Sequence, residues 1–154
     1  FVVVGPAADP AKIRGMKSAA EAFRALARTG TTFCSRGDDS GTHTKEREIW
    51  AAAGLPAGGW PGYLSLGQGM GETLITAREK NAYALADEGT FRAMEQKLNG
   101  IGILVEEGTE LRNVYGVIPV NPANGSHVNA VTGRAFADWI TGPEGQANTI
   151  QTKP

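Results

Sequence analysis

The sequence is poor in the residues that build disulfides, metal sites and catalytic clusters. It contains one cysteine, Cys34, and two histidines among 154 residues. A single cysteine excludes an internal disulfide and does not indicate the cellular compartment. Because Cys34 lies in a short run predicted to be a buried strand, a packed thiol is favoured over a nucleophile. The scarcity of clustered His, Cys and Asp residues argues against a transition-metal site.

Long apolar runs and an excess of one charge are also missing. No apolar run approaches the roughly 18 residues that a membrane-spanning helix needs. The net charge is -1, and no cluster of Lys and Arg offers a surface for phosphate backbones, so no nucleic-acid partner is predicted. The length predicts one domain. An apolar run at residues 1–4, without an initiator Met, predicts a processed or trimmed piece of a longer protein.

What the sequence does have is an alternation of short β-runs with helical segments. Glycine is abundant, at 21 residues, and falls in the turns between these segments. Such alternation predicts an α/β fold with a mainly parallel sheet flanked by helices. Strands are predicted over residues 1–4, 32–34, 63–66, 83–86, 101–105 and 113–122. Helices are predicted from Ser18 to Gly30, over residues 45–53, 72–80, 91–98 (with Thr90 as N-cap) and 129–141, and in a short segment ending at Ile150.

The most informative stretch is residues 35–46, between a predicted strand and the helix that follows it. The first backbone N–H groups of that helix have no intrahelical partner and lie at the positive end of the helix dipole. Such a helix start is a site for an anion. Asp39 or Ser40 can cap the helix, and Arg36 adds a fixed positive charge. A capped surface turn is the alternative interpretation of these residues.

A second turn, Gly-Gln-Gly-Met-Gly at residues 67–71, also precedes a predicted helix. Its glycines would let backbone N–H groups approach a ligand closely. The turn lacks the features of a dinucleotide-binding fingerprint, and no Gly-Lys-Ser/Thr follows that would define a P-loop. Taken alone, this turn is weak support for an anion site.

Together, Ser-Arg-Gly-Asp-Asp-Ser-Gly-Thr-His at residues 35–43 and the turn at 67–71 resemble the tungstate-binding components of bacterial ABC transporters. These belong to the class II periplasmic binding proteins, which also capture molybdate, phosphate and sulfate. Residues 1–6, 87–90, 120–122 and 139–146 fit the same family pattern. The resemblance spans nearly the whole chain, and the nine-residue match is its most specific part.

The resemblance implies a fold of two α/β lobes joined by two crossing strands, with the oxyanion held between the lobes. Residues 1–6 would form the first crossing strand, and residues 7–113 the second lobe. Residues 114–154 would form the return crossing strand and tail helices of the first lobe. The family's N-terminal segment, with its anion-binding loop, has no counterpart in this sequence. A homodimer that exchanges crossing strands could complete the cleft.

The resemblance also implies the ligand and its donors. Tungstate, like molybdate, is a doubly charged tetrahedron that accepts hydrogen bonds and donates none. Arg36 matches the family's anion-pairing arginine, whose forked donors suit two oxygens at once. Asp38 and Asp39 would orient Arg36 or cap the helix. The expected ligands are Ser35 and Arg36, with further donors from Ser40, Gly41, Thr42, Gly69, Met70 and Gly71.

By the same resemblance the chain is a periplasmic or extracellular solute-binding protein that docks on an ABC permease, needs no cofactor and is not an enzyme. Two alternatives remain open. One is a phosphate- or sulfate-binding lobe. The other is a small hydrolase that uses Ser40 and His43, although residues i and i+3 on one helix rarely give triad geometry. A protease-like Gly-Asp-Ser-Gly is broken here by the additional aspartate at residues 38–39.

Overall fold

The sheet of this protein has five strands in the order β3-β2-β4-β1-β5. The structure, a computed structural model, describes the backbone of residues 1–150 and the side chains of residues 1–147. The predicted strands at the beginning of the chain and at residues 32–34, 63–66, 83–86 and 101–105 are all formed, with ends that shift by one or two residues. Their bounds are β1 Val2–Pro6, β2 Phe33–Ser35, β3 Tyr63–Ser65, β4 Tyr83–Ala86 and β5 Ile101–Val105.

The sheet is mixed, whereas a mainly parallel sheet was predicted. β2 pairs in parallel with β3 and β4, but β1 pairs antiparallel with both of its neighbours, β4 and β5. Strands β2 to β5 therefore point in one direction. β1 is antiparallel to them and lies inside the sheet, between β4 and β5. The predicted parallel orientation is correct for β2 to β5. Helices connect β2 to β3 and β3 to β4, and such crossover connections join parallel strands. The prediction could not show that the first strand inserts between β4 and β5.

The predicted helices are formed, but three begin two to four residues earlier than expected. Ser40 caps a helix that starts at Gly41 instead of residue 45, and Gly69 precedes one that starts at Met70. Asp87, and not Thr90, accepts from a backbone N–H as the cap of the next helix. The bounds are α1 Ala19–Thr29, α2 Gly41–Ala52, α3 Met70–Glu79, α4 Glu88–Met94, α5 Ala130–Thr141 and α6 Pro143–Ile150, with short 3-10 turns at Glu95–Lys97, Thr109–Leu111 and Pro122–Asn124.

The sheet separates two hydrophobic clusters because successive side chains of a strand point to opposite faces. In β2, Phe33 joins the cluster under α1 and α2, whereas Cys34 joins the cluster under α3 and α4. The first cluster is rich in aromatic rings: Trp50 contacts Phe23, Phe33, Trp60 and Tyr63 with centroid distances of 4.3 to 6.3 Å. Both faces of β2 are thus held by packed side chains, which fixes the position of the loop that follows it.

The chain divides into two compact units, Phe1–Asn113 and a second that begins at Val114. The second unit contains α5 and α6, and among its residues up to 147 only Ala137 and Gly145 are buried. The strand predicted over residues 113–122 is not formed, and Val114 and Ile118 are more than 80% exposed, at 86% and 87%. A strand needs a ladder partner and a face to bury, and the described residues give this segment neither.

The apolar side that the sequence predicted for α5 is also largely exposed in the described structure. Phe136 and Trp139 contact each other, with ring centroids 5.9 Å apart, but are 56% and 42% exposed. The predicted short helix ending at Ile150 is present as α6. None of the described helices has the length and apolar character that crossing a membrane requires.

Candidate functional site

The structure brings the two predicted anion-binding stretches together at the carboxyl ends of β2 and β3. The backbone N–H of Leu66 donates to the carbonyl of Ser35 at 3.0 Å, and that of Gln68 donates to the carbonyl of Arg36 at 3.1 Å. Gly37 touches the same loop, with a φ of +61° and no room for a side chain beside the Ser65 hydroxyl. The loop after β2 and the glycine turn before α3 therefore form one continuous surface. We call residues 35–42 together with residues 67–71 the donor loop pair.

Two helices begin at the donor loop pair. Ser40 is the N-cap of α2, and its Oγ accepts from the backbone N–H of His43 at 3.3 Å. Gly41 and Thr42 are therefore the first two residues of that helix. Gly69 is the N-cap of α3, so Met70 and Gly71 are the corresponding first residues there. The backbone N–H groups at such positions lack intrahelical acceptors and are the groups that bind anions.

The predicted ligands contribute to this surface in different ways. Ser35 is fully buried at the end of β2, and Thr42 is buried at the start of α2. The side chain of Met70 packs into the cluster under α3 and α4, so Met70 can offer its backbone but not its thioether. Gly41, Gly69 and Gly71 can likewise offer only N–H groups. Arg36 is the one charged donor among the predicted ligands.

Arg36 is an anion-binding candidate because only part of its guanidinium is engaged. Its Nη2 donates to Oδ2 of Asp38 at 2.5 Å, and its side chain is 18% exposed. Its Nε is buried and has no hydrogen-bond partner in the described part of the chain. A buried N–H without an acceptor costs about 1 to 3 kcal/mol, more for a charged group. An acceptor from outside the chain would remove that cost.

Ser35 and Thr73 show the same deficit in the described residues. Both hydroxyl oxygens are buried without a partner of acceptable hydrogen-bond geometry. Ser35 immediately precedes Arg36, and Thr73 lies one turn into α3, with its backbone N–H donating to the carbonyl of Gly69. Thr73 was not predicted. Thr73 is the fourth residue of α3, but the helix was predicted to start two residues later, at residue 72. No sequence signal therefore singled out its hydroxyl.

The two aspartates of the loop are turned toward their own backbone and neighbouring cations. Oδ1 of Asp38 accepts from the Ser40 N–H at 3.3 Å, while Oδ2 accepts from Arg36. Although partial desolvation acts the other way, the hydrogen bonds from Ser40 and Arg36 lower the pKa of the Asp38 carboxyl. Asp39 is exposed, and its Oδ1 lies 3.4 Å from an Arg47 nitrogen. Asp38 thus orients Arg36, as the sequence suggested, and Ser40 rather than Asp39 caps the helix.

The geometry does not assemble the nucleophile and base of a hydrolase from Ser40 and His43. Ser40 Oγ accepts from the backbone of His43, not from its imidazole. The imidazole Nδ1 instead accepts from the Asp39 backbone N–H at 3.0 Å. A general base must lie within hydrogen-bond reach of the proton that it removes, and here the ring is used to brace the loop. Within the described residues there is also no group of three or more His, Cys, Asp or Glu that could hold a metal ion.

A buried carboxyl, Glu46, lies behind the donor loop pair and was missed by the sequence reasoning. Its Oε1 accepts from the Tyr63 hydroxyl at 2.7 Å and from the Trp50 indole at 3.2 Å. Burial raises the pKa of Glu46, while the nearby Ser35 hydroxyl acts in the opposite direction. Burial likewise raises the pKa of the Tyr63 phenol. A signal existed, because Thr42, Glu46 and Trp50 recur at the spacing of one helix face.

These features define an α/β domain in which hydrogen-bond donors and two helix N-termini meet at the carboxyl ends of β2 and β3. Residues 1–144 match the family described as the PBP superfamily domain. The chain belongs to the PBP superfamily.

Among the relatives, the chain is 43% identical to the tungstate-binding protein TupA of Peptoclostridium acidaminophilum over 150 residues, which are 96% of this chain and 51% of that protein. It is similar to the solved structure of TupA from Desulfovibrio alaskensis G20, with a TM-score of 0.80 and 38% identity over 96% of this chain and 60% of that one. The chain is also similar to the solved structure of the tungstate ABC transporter from Geobacter sulfurreducens. The TM-score is 0.77, and the sequence identity is 41% over 95% of this chain and 61% of that one. The chain spans about half the length of the curated relatives that it matches.

Proposed function

We propose that this chain binds a tetrahedral oxyanion, tungstate or molybdate, as part of the solute-binding component of an ABC transporter. The observation on which the proposal depends is that the Nε of Arg36 and the hydroxyl of Ser35 are both buried without a hydrogen-bond partner in the described residues. Both lie where α2 and α3 begin, so that charged, hydroxyl and backbone donors occur together. A ligand that only accepts hydrogen bonds would satisfy them. The names of the relatives support the choice of anion.

The proposal assigns the ligand atoms by kind of donor. Arg36 would pair with two anion oxygens through Nε and a terminal nitrogen, and the Ser35 hydroxyl would donate to a third. Ser40, Gly41 and Thr42 would contribute from α2, and Gly69, Met70 and Gly71 through the backbone of α3. Because both helix dipoles direct their positive ends at the loop pair, they would add to the attraction for a dianion.

We further propose that residues 7–113 form the second lobe of a two-lobe binding protein and residues 1–6 its first crossing strand, and the compact unit Phe1–Asn113 supports this division. The chain beginning at Val114 would then be the return crossing and tail helices of the first lobe. Four large apolar side chains of this segment are exposed: Val114, Ile118, Phe136 and Trp139. Their exposure supports a role for the segment as a surface that packs against further protein. A periplasmic or extracellular location and an ABC permease as partner follow from the same assignment. A homodimer is one way to supply the other half of the cleft.

The test is calorimetric and thermal titration of the purified chain with tungstate, molybdate, sulfate and phosphate. Binding to the native state stabilises by RT ln(1 + [L]/Kd), which is about 4 kcal/mol for micromolar affinity at millimolar ligand. Arg36→Ala should abolish the shift. The matched control is Arg92→Ala, which removes an arginine from α4 whose partner is the surface residue Glu88, and it should leave the shift unchanged.

The outcomes separate the alternatives. A shift with tungstate or molybdate that Arg36→Ala removes supports the proposal, and a larger shift with phosphate or sulfate favours the other oxyanion lobe. A folded sample that responds to none of the four anions contradicts the function proposed for this chain. Hydrolysis of an ester or phosphoester that Ser40→Ala abolishes would instead favour the hydrolase.

A further inference from the structure

Glu46 is a buried carboxyl with no role in the ligand set, and it lies directly behind a proposed ligand. Only 2% of the residue is exposed. Its described hydrogen bonds, from Tyr63 and from Trp50, both reach the same oxygen, Oε1. Ser35 follows Phe33 by two residues in β2, so its buried side chain points to the same face of the sheet, the face on which Phe33 contacts Trp50 of α2. Its hydroxyl forms no hydrogen bond of acceptable geometry in the described residues. The carboxyl and the proposed anion would therefore share Ser35 as a neighbour.

The protonation state of Glu46 decides what Ser35 can offer to an anion. An ionised carboxylate accepts only, so it attracts the Ser35 O–H inward and presents the lone pairs of Oγ to the loop. A protonated carboxyl can donate to Oγ instead, which leaves the serine proton free to donate outward. A dianion in the loop also repels a buried negative charge through a medium of low dielectric constant. Both effects favour the neutral carboxyl when the anion is bound.

We propose that Glu46 takes up a proton when the donor loop pair binds a dianion, so that the affinity for the anion rises as the pH falls. The inference rests on the proposed function, because it concerns the same loop. Coupling between two ligands is reciprocal, so a proton that favours the anion is itself bound more tightly in the complex. The linkage involves one proton, and the dissociation constant therefore changes by at most about tenfold per pH unit.

Two basic side chains of α2, His43 and Arg47, lie near Glu46 along the helix. His43 lies one turn earlier on the helix and acts electrostatically on the carboxyl. Protonation of its imidazole would also attract an anion, so His43 needs its own control. Arg47 acts on the neighbouring Tyr63 and holds Asp39 at 3.4 Å. An arginine stays charged throughout the relevant pH range and adds no pH dependence.

Among the described residues, the other elements around Glu46 offer no further group that titrates near neutral pH. β3 supplies the Tyr63 phenol, whose pKa is raised by burial. β2 supplies the Ser35 hydroxyl. On β4, the phenol of Tyr83 donates to Asp9 and does not reach Glu46. α1 faces α2 with apolar residues, and its Arg24 bonds to carbonyls at the far end of that helix.

The experiment measures tungstate affinity of the full chain by calorimetry between about pH 6 and about pH 8, with tungstate at micromolar concentration so that it stays a monomeric dianion. For the wild type we expect binding that tightens toward the lower pH, by up to about tenfold per unit. Glu46→Gln keeps the shape and neutral charge of the protonated carboxyl, so it should bind tightly and independently of pH. His43→Asn keeps an acceptor near the Asp39 N–H and should retain the wild-type slope.

Repeating the wild-type titrations in two buffers of different ionisation enthalpy counts the protons without relying on any variant. Uptake of up to one proton per anion supports the proposal, and zero uptake across the pH range overturns it. A slope that persists in Glu46→Gln, or that disappears in His43→Asn, overturns it as well. Binding that is tight but independent of pH defeats this inference alone, whereas no binding at any pH defeats the proposed function and the inference with it.

Discussion

Replacing Glu46 by Gln tests the energetic cost of a buried carboxyl without any ligand. In the folded protein the carboxyl accepts hydrogen bonds from Tyr63 and Trp50, and burial raises its pKa above the ordinary value of 4.5. The unfolded chain exposes the group to water and restores the ordinary pKa. The folded state therefore binds more protons than the unfolded state at pH values between the two pKa values. Glutamine is neutral at every pH and removes this difference.

The sign and the size of the effect follow from linkage. Stability contributed by the raised pKa is fully present below the unfolded value of 4.5 and is lost as the pH rises through the folded value. One proton changes the free energy of unfolding by at most about 1.4 kcal/mol per pH unit. We expect the wild type to lose stability relative to Glu46→Gln along this slope as the pH is raised, and the difference to become constant above the folded pKa.

The assay is urea unfolding at a series of pH values, followed by far-ultraviolet circular dichroism. Glu48→Gln is the matched control, since Glu48 lies on the same helix with an exposed side chain that pairs with Lys45. The control should follow the wild-type pH profile. A difference between wild type and Glu46→Gln that is flat from acidic to neutral pH, or that grows in favour of the wild type as the pH rises, would refute the reasoning.

Three further changes test the loop and the core. Ser40→Ala removes the cap that accepts from His43 and should lower the free energy of unfolding by about 1 kcal/mol in urea titrations, whereas Ser40→Gly should lose only a few tenths. Gly37→Ala should destabilise the folded protein by about 1 to 3 kcal/mol in the same assay, because the φ of Gly37 is +61° and a Cβ there would lie 2.1 Å from the Ser65 hydroxyl. An unchanged unfolding midpoint would contradict this. Burial raises the pKa of the Cys34 thiol to about 11, so a disulfide reagent should react at least about 100-fold more slowly with the folded than with the urea-unfolded chain.

The sequence predicted the order and type of the elements in the first unit because each helix and strand there has local signals. Gly30 ends α1 in the left-handed conformation that glycine favours, as predicted. The sequence-based prediction failed where an element depends on partners that are distant in the chain. The position of β1 between β4 and β5 depends on pairing across some 80 to 100 residues. Residues 113–122 have a strand-like composition but form no ladder with another strand in the described part of the chain. Periodicity cannot detect either condition.

For the candidate site, sequence reasoning placed both loops correctly but misjudged what lies behind them. The structure shows that the loop after β2 adjoins the glycine turn, since two backbone hydrogen bonds join them. The roles of the individual residues as ligands stay predictions. Glu46 was assigned no role, and a glutamate is rarely buried. Its partner Trp50 lies one turn away on the same helix, but Tyr63 comes from β3, and only the assembled fold shows that it reaches Glu46.

The loop also contains a reason to expect a fully deprotonated oxyanion as its ligand. An exposed carboxylate facing the anion would accept a hydrogen bond and so favour hydrogen phosphate, which carries a proton to donate. Both oxygens of Asp38 already accept, from Arg36 and from the Ser40 backbone, and its pKa is lowered by these bonds. Each oxygen of Asp38 thus has a donor within the loop itself, although the residue is exposed. We expect this engagement to weaken Asp38 as an acceptor for a protonated ligand, which favours a ligand that accepts at every oxygen.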